Sequence, residues 1–135
     1  MSDTSHPDGR PDVELRLPAD SAYASVLRTT TAGLAARLDF TIDDIEDLRI
    51  AVGEANAMVL EHAADGTDLV TGFHLAPGQM TISVGARTAG NPVPDLDSFA
   101  WQVLTTLATS ADIESRDGHL AIVMTMTSSA LGAGT

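Results

Sequence analysis

TIDDIEDLRIAVGEANAMVLEHAADG, Thr41 to Gly66, decides how the rest of the chain is read. Thr41 is an N-cap residue, and Asp43, Asp44 and Glu46 fill the first turn, where carboxylates meet the positive end of a helix macrodipole. Ile45, Leu48, Val52, Ala55 and Val59 recur at helical spacing as one core stripe, and Gly66 is expected to end the helix. In its second half Glu54, Asn56 and His62 stand among alanines, valines and a methionine. At 3.6 residues per turn Glu54 and Met58 lie about 40° apart, whereas Glu54 and Asn56 are separated by about 160°. Glu54 and Asn56 therefore cannot serve one ligand jointly. Glu54, at the margin of an apolar stripe, reads either as a solvated carboxylate or as a site residue, and His62 as a helix-end histidine.

Outward from this helix the pattern is regular. DVELRLP alternates Val13, Leu15 and Leu17 with Glu14 and Arg16, a half-buried strand closed by Pro18. Asp20 or Ser21 caps a first helix running to about Leu38, with Tyr23, Val26, Leu27, Leu34 and Leu38 at helical spacings. Asp39 and Phe40 make the turn into Thr41. On the other side, TDLVTGFHL and QMTISVGAR, joined by APGQ, predict a hairpin with Leu69, Met80, Ile82 and Val84 among its apolar positions. The loop TAGNPVPDLD leads into a helix from Ser98 or Phe99 to about Ala108, and ADIESRDGHLAIVMTMTSS closes with two strands around an RDG turn. The order of elements describes an α+β fold, a two-layer sandwich with a mostly antiparallel sheet and helices on one face. Residues 1–11 read as a flexible leader, 12–128 as the domain and 129–135 as a flexible tail.

Composition narrows the function. At 135 residues the chain suits one domain that buries roughly two-thirds of its unfolded surface. Tyr23, Phe40, Phe73, Phe99 and Trp101 are its only aromatic residues, so the core must be aliphatic. The net charge is −12, from 19 acidic and 7 basic residues, and every basic residue is arginine. Such a chain repels phosphate backbones and has no arginine cluster interleaved with aromatics, which excludes direct nucleic-acid binding. Without lysine there is no P-loop grip and no Schiff-base chemistry; without cysteine there is no disulfide framework or thiolate metal site. MSDTSHPDGRPD has no apolar signal region, no membrane span is visible, and a cytoplasmic protein is expected.

Common catalytic motifs are missing too. His6, His74 and His119 fall in separate segments without an HExxH-like pair, so no metal site is expected. There is no G-x-S-x-G elbow. GARTAGN departs from G-x-G-x-x-G and reads either as an ordinary loop or as a phosphate cradle at Gly85, Gly90 and Asn91. Met124 and Met126 read as strand packing.

ARLDFTIDDIEDLRIAVGEANAMVLEHA, residues 36–63, resembles the N-box region of the anti-sigma serine kinases, members of the GHKL superfamily with the Bergerat ATP-binding fold. Leu48, Ala51, Val52, Glu54, Ala55, His62 and Ala63 stand in matching places, and the looser likeness spans roughly residues 13 to 127. The resemblance implies a sheet under a nucleotide site, with a glutamate as general base, matched by Glu54, and an asparagine holding magnesium, whose place Met58 takes. A thioether is a poor ligand for that hard ion. The family's D-x-G-x-G motif is replaced by GARTAGNPVPD, with Ala86 or Arg87 near the expected acid. PDLDSFAWQVLTTL stands where a glycine-rich lid is expected, and Phe99 and Trp101 would fill the pocket rather than frame it.

The resemblance also implies partners: a sigma factor held away from RNA polymerase, an anti-anti-sigma protein that releases it and, since members commonly dimerise, the option of a homodimer. Arg28 matches a partner-binding arginine on the first helix, with Tyr23 or Leu27 as apolar neighbours. From Asp39 to Asp68 nine carboxylates face Arg49 alone, an acidic belt that either complements a basic partner or is simply solvated. Two functions follow: sequestration of a sigma factor with decayed nucleotide boxes, needing no cofactor, or an ATP- and magnesium-dependent serine kinase acting on the anti-anti-sigma protein. Whether the chain is an enzyme turns on that choice.

Overall fold

A computed structural model describes residues 9–129. The helix that decides the fold starts as expected. The Thr41 hydroxyl accepts the Asp44 N–H at 3.1 Å, and the Asp44 carboxylate accepts the Thr41 N–H at 3.3 Å, a reciprocal capping box. The helix, α2, covers Ile42–Leu60, with Leu48, Val52, Ala55 and Val59 fully buried and Ile45 half-buried. It stops at Leu60, well before Gly66. Ala63 forms a β-bridge with Thr88, and the Ala64 N–H donates to the Arg87 carbonyl at 2.8 Å, so pairing with the sheet outcompetes another helical turn. Gly66, at φ +74°, serves the turn that follows.

The first helix, α1, covers Ala24–Ala36 and is preceded by a 3-10 turn at Ser21–Tyr23 that Asp20 caps through the Ala22 N–H. Leu27, Thr31 and Ala35 form its buried stripe, one helical turn apart. Thr31 sits in the core because its hydroxyl donates to the Leu27 carbonyl at 2.8 Å. Tyr23 and Val26, placed at helical spacings with Leu27, are 40% and 42% exposed. Tyr23 lies in the 3-10 turn, where a period of 3.6 does not apply. Asp39, at φ 62°, turns the chain and Phe40 is buried.

Five strands form one antiparallel sheet: β1 Val13–Pro18, β2 Asp68–Ala76, β3 Gln79–Arg87, β4 Ser110–Arg116 and β5 His119–Thr127, in the order β1-β2-β3-β5-β4. Both predicted hairpins close with two-residue loops, Pro77-Gly78 and Asp117-Gly118; the second has φ 56° and 70°, the pair of positive values a type I′ turn requires. Leu69, Met80, Ile82, Val84, Leu120, Ile122, Met124 and Met126 face the helices and are buried. A third helix, α3 Phe99–Leu107, is capped by Ser98 through the Trp101 N–H. α2 lies between α1 and α3 over β3 and β5, which gives the two-layer α+β sandwich.

The leader expected at 1–11 falls mostly outside the described residues. Its end lies along β2, where the Gly9 carbonyl meets His74 Nε2 at 3.0 Å; the carboxylate of Asp12, the first residue of the expected domain, accepts the Leu75 N–H at 2.7 Å. Of the expected tail only Ser129 is described; its N–H and hydroxyl donate to Asp44 at 2.8 and 2.9 Å.

Candidate functional site

Because α2 is covered by the sheet below and a helix on either side, residues far apart on its wheel are buried together. Asn56 and Met58 are each 4% exposed, and Glu54, one turn before Met58, is half-buried without a hydrogen bond or ion pair among the described residues. Met58 belongs to the core cluster. Its thioether is therefore held where the resemblance expects an oxygen ligand, and magnesium does not fit the residues present. Among the described residues no group of three or more His, Asp or Glu could hold a metal ion.

The segments that should cradle a nucleotide are committed elsewhere. In residues 88–98 the Thr88 hydroxyl donates to the Gly90 carbonyl at 2.8 Å. The Asn91 side-chain Oδ1 accepts the Gly118 N–H at 2.9 Å, and the Ser115 hydroxyl donates to the Pro92 carbonyl at 2.6 Å. The loop is thus tied to the β4–β5 turn. Ala86 points into the core, while Arg87 is exposed, so neither stands in for the family's aspartate. α3 packs against α2, with Leu104 fully buried and Trp101 half-buried against the core. Phe99, expected to help fill the pocket, is 78% exposed: as the first residue of α3 it lies on the solvent side.

The expected partner surface is only partly assembled. Arg28 is half-buried; its Cδ would lie 3.6 Å from a Cβ at Gly53, so the side chain crosses α2 at a residue with no side chain of its own. It has no ion-pair partner among the described residues. Tyr23 is exposed, but Leu27 is 1% exposed and cannot touch a partner, because the α1 stripe turns it into the core. Two further large apolar residues on these helices are exposed: Ile50 on α2, 47% exposed and one turn before Gly53, and Val26 on α1, 42% exposed. A large aliphatic residue left outside the stripe of a buried helix was the available signal for Ile50.

No protein-family model matches the chain. A curated relative, the serine-protein kinase RsbW of Halalkalibacterium halodurans, is 42% identical over 88 residues, covering 64% of this chain and 52% of that protein. RsbW of Bacillus thuringiensis is 36% identical over 74 residues, 53% of this chain and 46% of that protein. The chain thus spans about half the length of these relatives. Among solved structures, the RsbU and RsbW domains of Rv1364c from Mycobacterium tuberculosis superpose with a TM-score of 0.67 over 87% of this chain and 33% of that one, at 22% identity, a likeness of fold. Sequence and fold agree: the chain is similar in sequence to serine-protein kinases named RsbW and in fold to a solved structure that contains an RsbW domain.

Proposed function

We propose that this chain is an anti-sigma-factor-like regulator, with residues 12–128 as its working domain, that sequesters a sigma factor through a protein interface on α1 and α2. The reading rests chiefly on Met58, buried in the core where a magnesium-binding oxygen is expected. The internally bonded loop at 88–98 and the direct packing of α3 on α2 support it. Arg28 is the interface anchor, with Tyr23 in the 3-10 turn before α1, Val26 on α1 and Ile50 on α2 as exposed apolar residues. A guanidinium already laid on a helix surface loses less freedom on pairing bidentately with a partner carboxylate.

A second reading keeps the chemistry: a serine kinase of an anti-anti-sigma protein, using ATP and magnesium, with Glu54 as general base. The name of the relatives and the Glu54 carboxylate, without a partner among the described residues, favour it. Calorimetric titration with Mg-ATP separates the two. Sequestration predicts flat heats at millimolar nucleotide and no rescue by Met58→Asn alone, whereas a micromolar isotherm overturns the loss of nucleotide binding and favours the kinase reading. With a sigma factor recovered by pull-down, Arg28→Ala should weaken binding by at least ~2 kcal/mol and leave the melting temperature nearly unchanged. Glu54→Ala should leave sequestration intact; in the kinase reading it abolishes phosphate transfer.

A further inference from the structure

Where the sheet face turned away from the helices meets the 64–68 segment lies a cavity of about 390 Å³, which neither Glu54 nor Met58 lines. In a chain of net charge −12, two of the seven arginines, Arg16 and Arg87, line it together with His119. These three donors come from β1, β3 and β5, and Arg87 and His119 are direct cross-strand partners. Gly85 seats the histidine: a Cβ there would lie 2.8 Å from His119 Cε1, so the ring rests on bare backbone. Arg16 makes one exposed contact with Asp68 at 3.4 Å, and the Arg87 guanidinium has no partner among the described residues. Asp65 and Asp68 add acceptors to the wall.

We infer that this cavity binds a small phosphate monoester whose organic body carries hydroxyl groups. Donors converging from three strands suit a tetrahedral oxyanion, which offers oxygens in several directions, better than a planar carboxylate, which presents two in one plane. Every tautomer of His119 keeps one N–H to donate. The volume lies in the range of small-molecule sites and exceeds what a bare ion fills. Asp65 and Asp68 would repel a second anionic group and accept from hydroxyls on the body, which selects one phosphate on a polyol over a polyphosphate. The site shares no residue with the proposed sigma-factor interface; Ala86 and Arg87 belong to the segment that stands in for the D-x-G-x-G motif, while Glu54 and Met58 do not line the cavity.

The full chain is titrated calorimetrically with ribose 5-phosphate, inorganic phosphate and ribose. Ribose 5-phosphate is expected to bind at least about tenfold more tightly than inorganic phosphate, and ribose not measurably. Arg87→Gln should weaken it at least about tenfold, the order of a lost charge-assisted bidentate contact, with the melting temperature unchanged. Gly85→Ala, which drives a Cβ into the His119 ring, should weaken it as well, while Arg28→Ala leaves it untouched. Equal affinity for phosphate and ribose 5-phosphate, no saturable binding at all, or full affinity in a folded Arg87→Gln variant overturns the inference. None of these outcomes depends on whether a sigma factor or Mg-ATP binds.

Discussion

Leu48 and Gly53 show, side by side on α2, what single positions contribute. Leu48 is fully buried at the centre of the core, so Leu48→Ala should cost about 2 to 5 kcal/mol in denaturant melts, the transfer energy of the lost atoms plus the cavity they leave. Gly53 is the reverse case. A methyl group there meets Arg28 Cδ at 3.6 Å, ordinary contact, and glycine inside a helix is worse than alanine by about 0.8–1 kcal/mol. Gly53→Ala should therefore raise stability by up to about 1 kcal/mol, measured by the same melts. Individual core residues were legible from helical spacing, as Leu48, Val52, Ala55 and Val59 demonstrate. Leu27 was not legible as a core residue rather than a contact residue, because the stripe that buries it is defined by Thr31 and Ala35, a hydroxyl and a methyl with little weight in any hydrophobic pattern.

At the scale of elements, the N-terminus of α2 does two things. Its capping box is joined by the chain after β5, since the Asp44 carboxylate accepts from both Thr41 and Ser129. Burial alone would raise the Asp44 pKa, but the Ser129 and Thr41 hydrogen bonds outweigh it and hold the carboxyl below its ordinary value. A lowered native value adds stability above the unfolded pKa, and that increment is lost as pH falls through the native one. Asp44→Ala should thus destabilise the domain by roughly 0.5–2 kcal/mol at neutral pH, and the deficit should shrink on acidification below the ordinary carboxylate range, followed by melting temperature against pH. The cap was legible because Thr41 and the acidic first turn announce it. The helix end was not: a glycine at position 66 is a strong stop signal, but the bridge from Ala63 to Thr88 depends on a strand more than one element away. Likewise the cavity draws its three donors, Arg16, Arg87 and His119, from β1, β3 and β5, each an ordinary exposed strand position when read along the chain.

The whole molecule was the most legible scale, since the order of strands and helices, both hairpins and the position of α3 follow from local periodicity and turn residues. What periodicity could not supply is which strands neighbour one another. The observed order places β1 at an edge, with Val13 opposite Phe73, so this pairing closes only after both long helices have been spanned. By contrast β2–β3 and β4–β5 are hairpins closed by two residues each. Loop-closure entropy must be met before a distant pairing returns any energy, so the sheet should assemble from its hairpins and receive β1 late. Truncating Leu15 should then accelerate unfolding while leaving the refolding rate nearly unchanged in stopped-flow chevrons, whereas truncating Ile82, between the two hairpins, should slow refolding. A strand that joins last also leaves first: before the rest of the domain unfolds, β2 would be uncovered along one edge, and that transient edge is where a protease or another extended chain would gain its first hold on the protein.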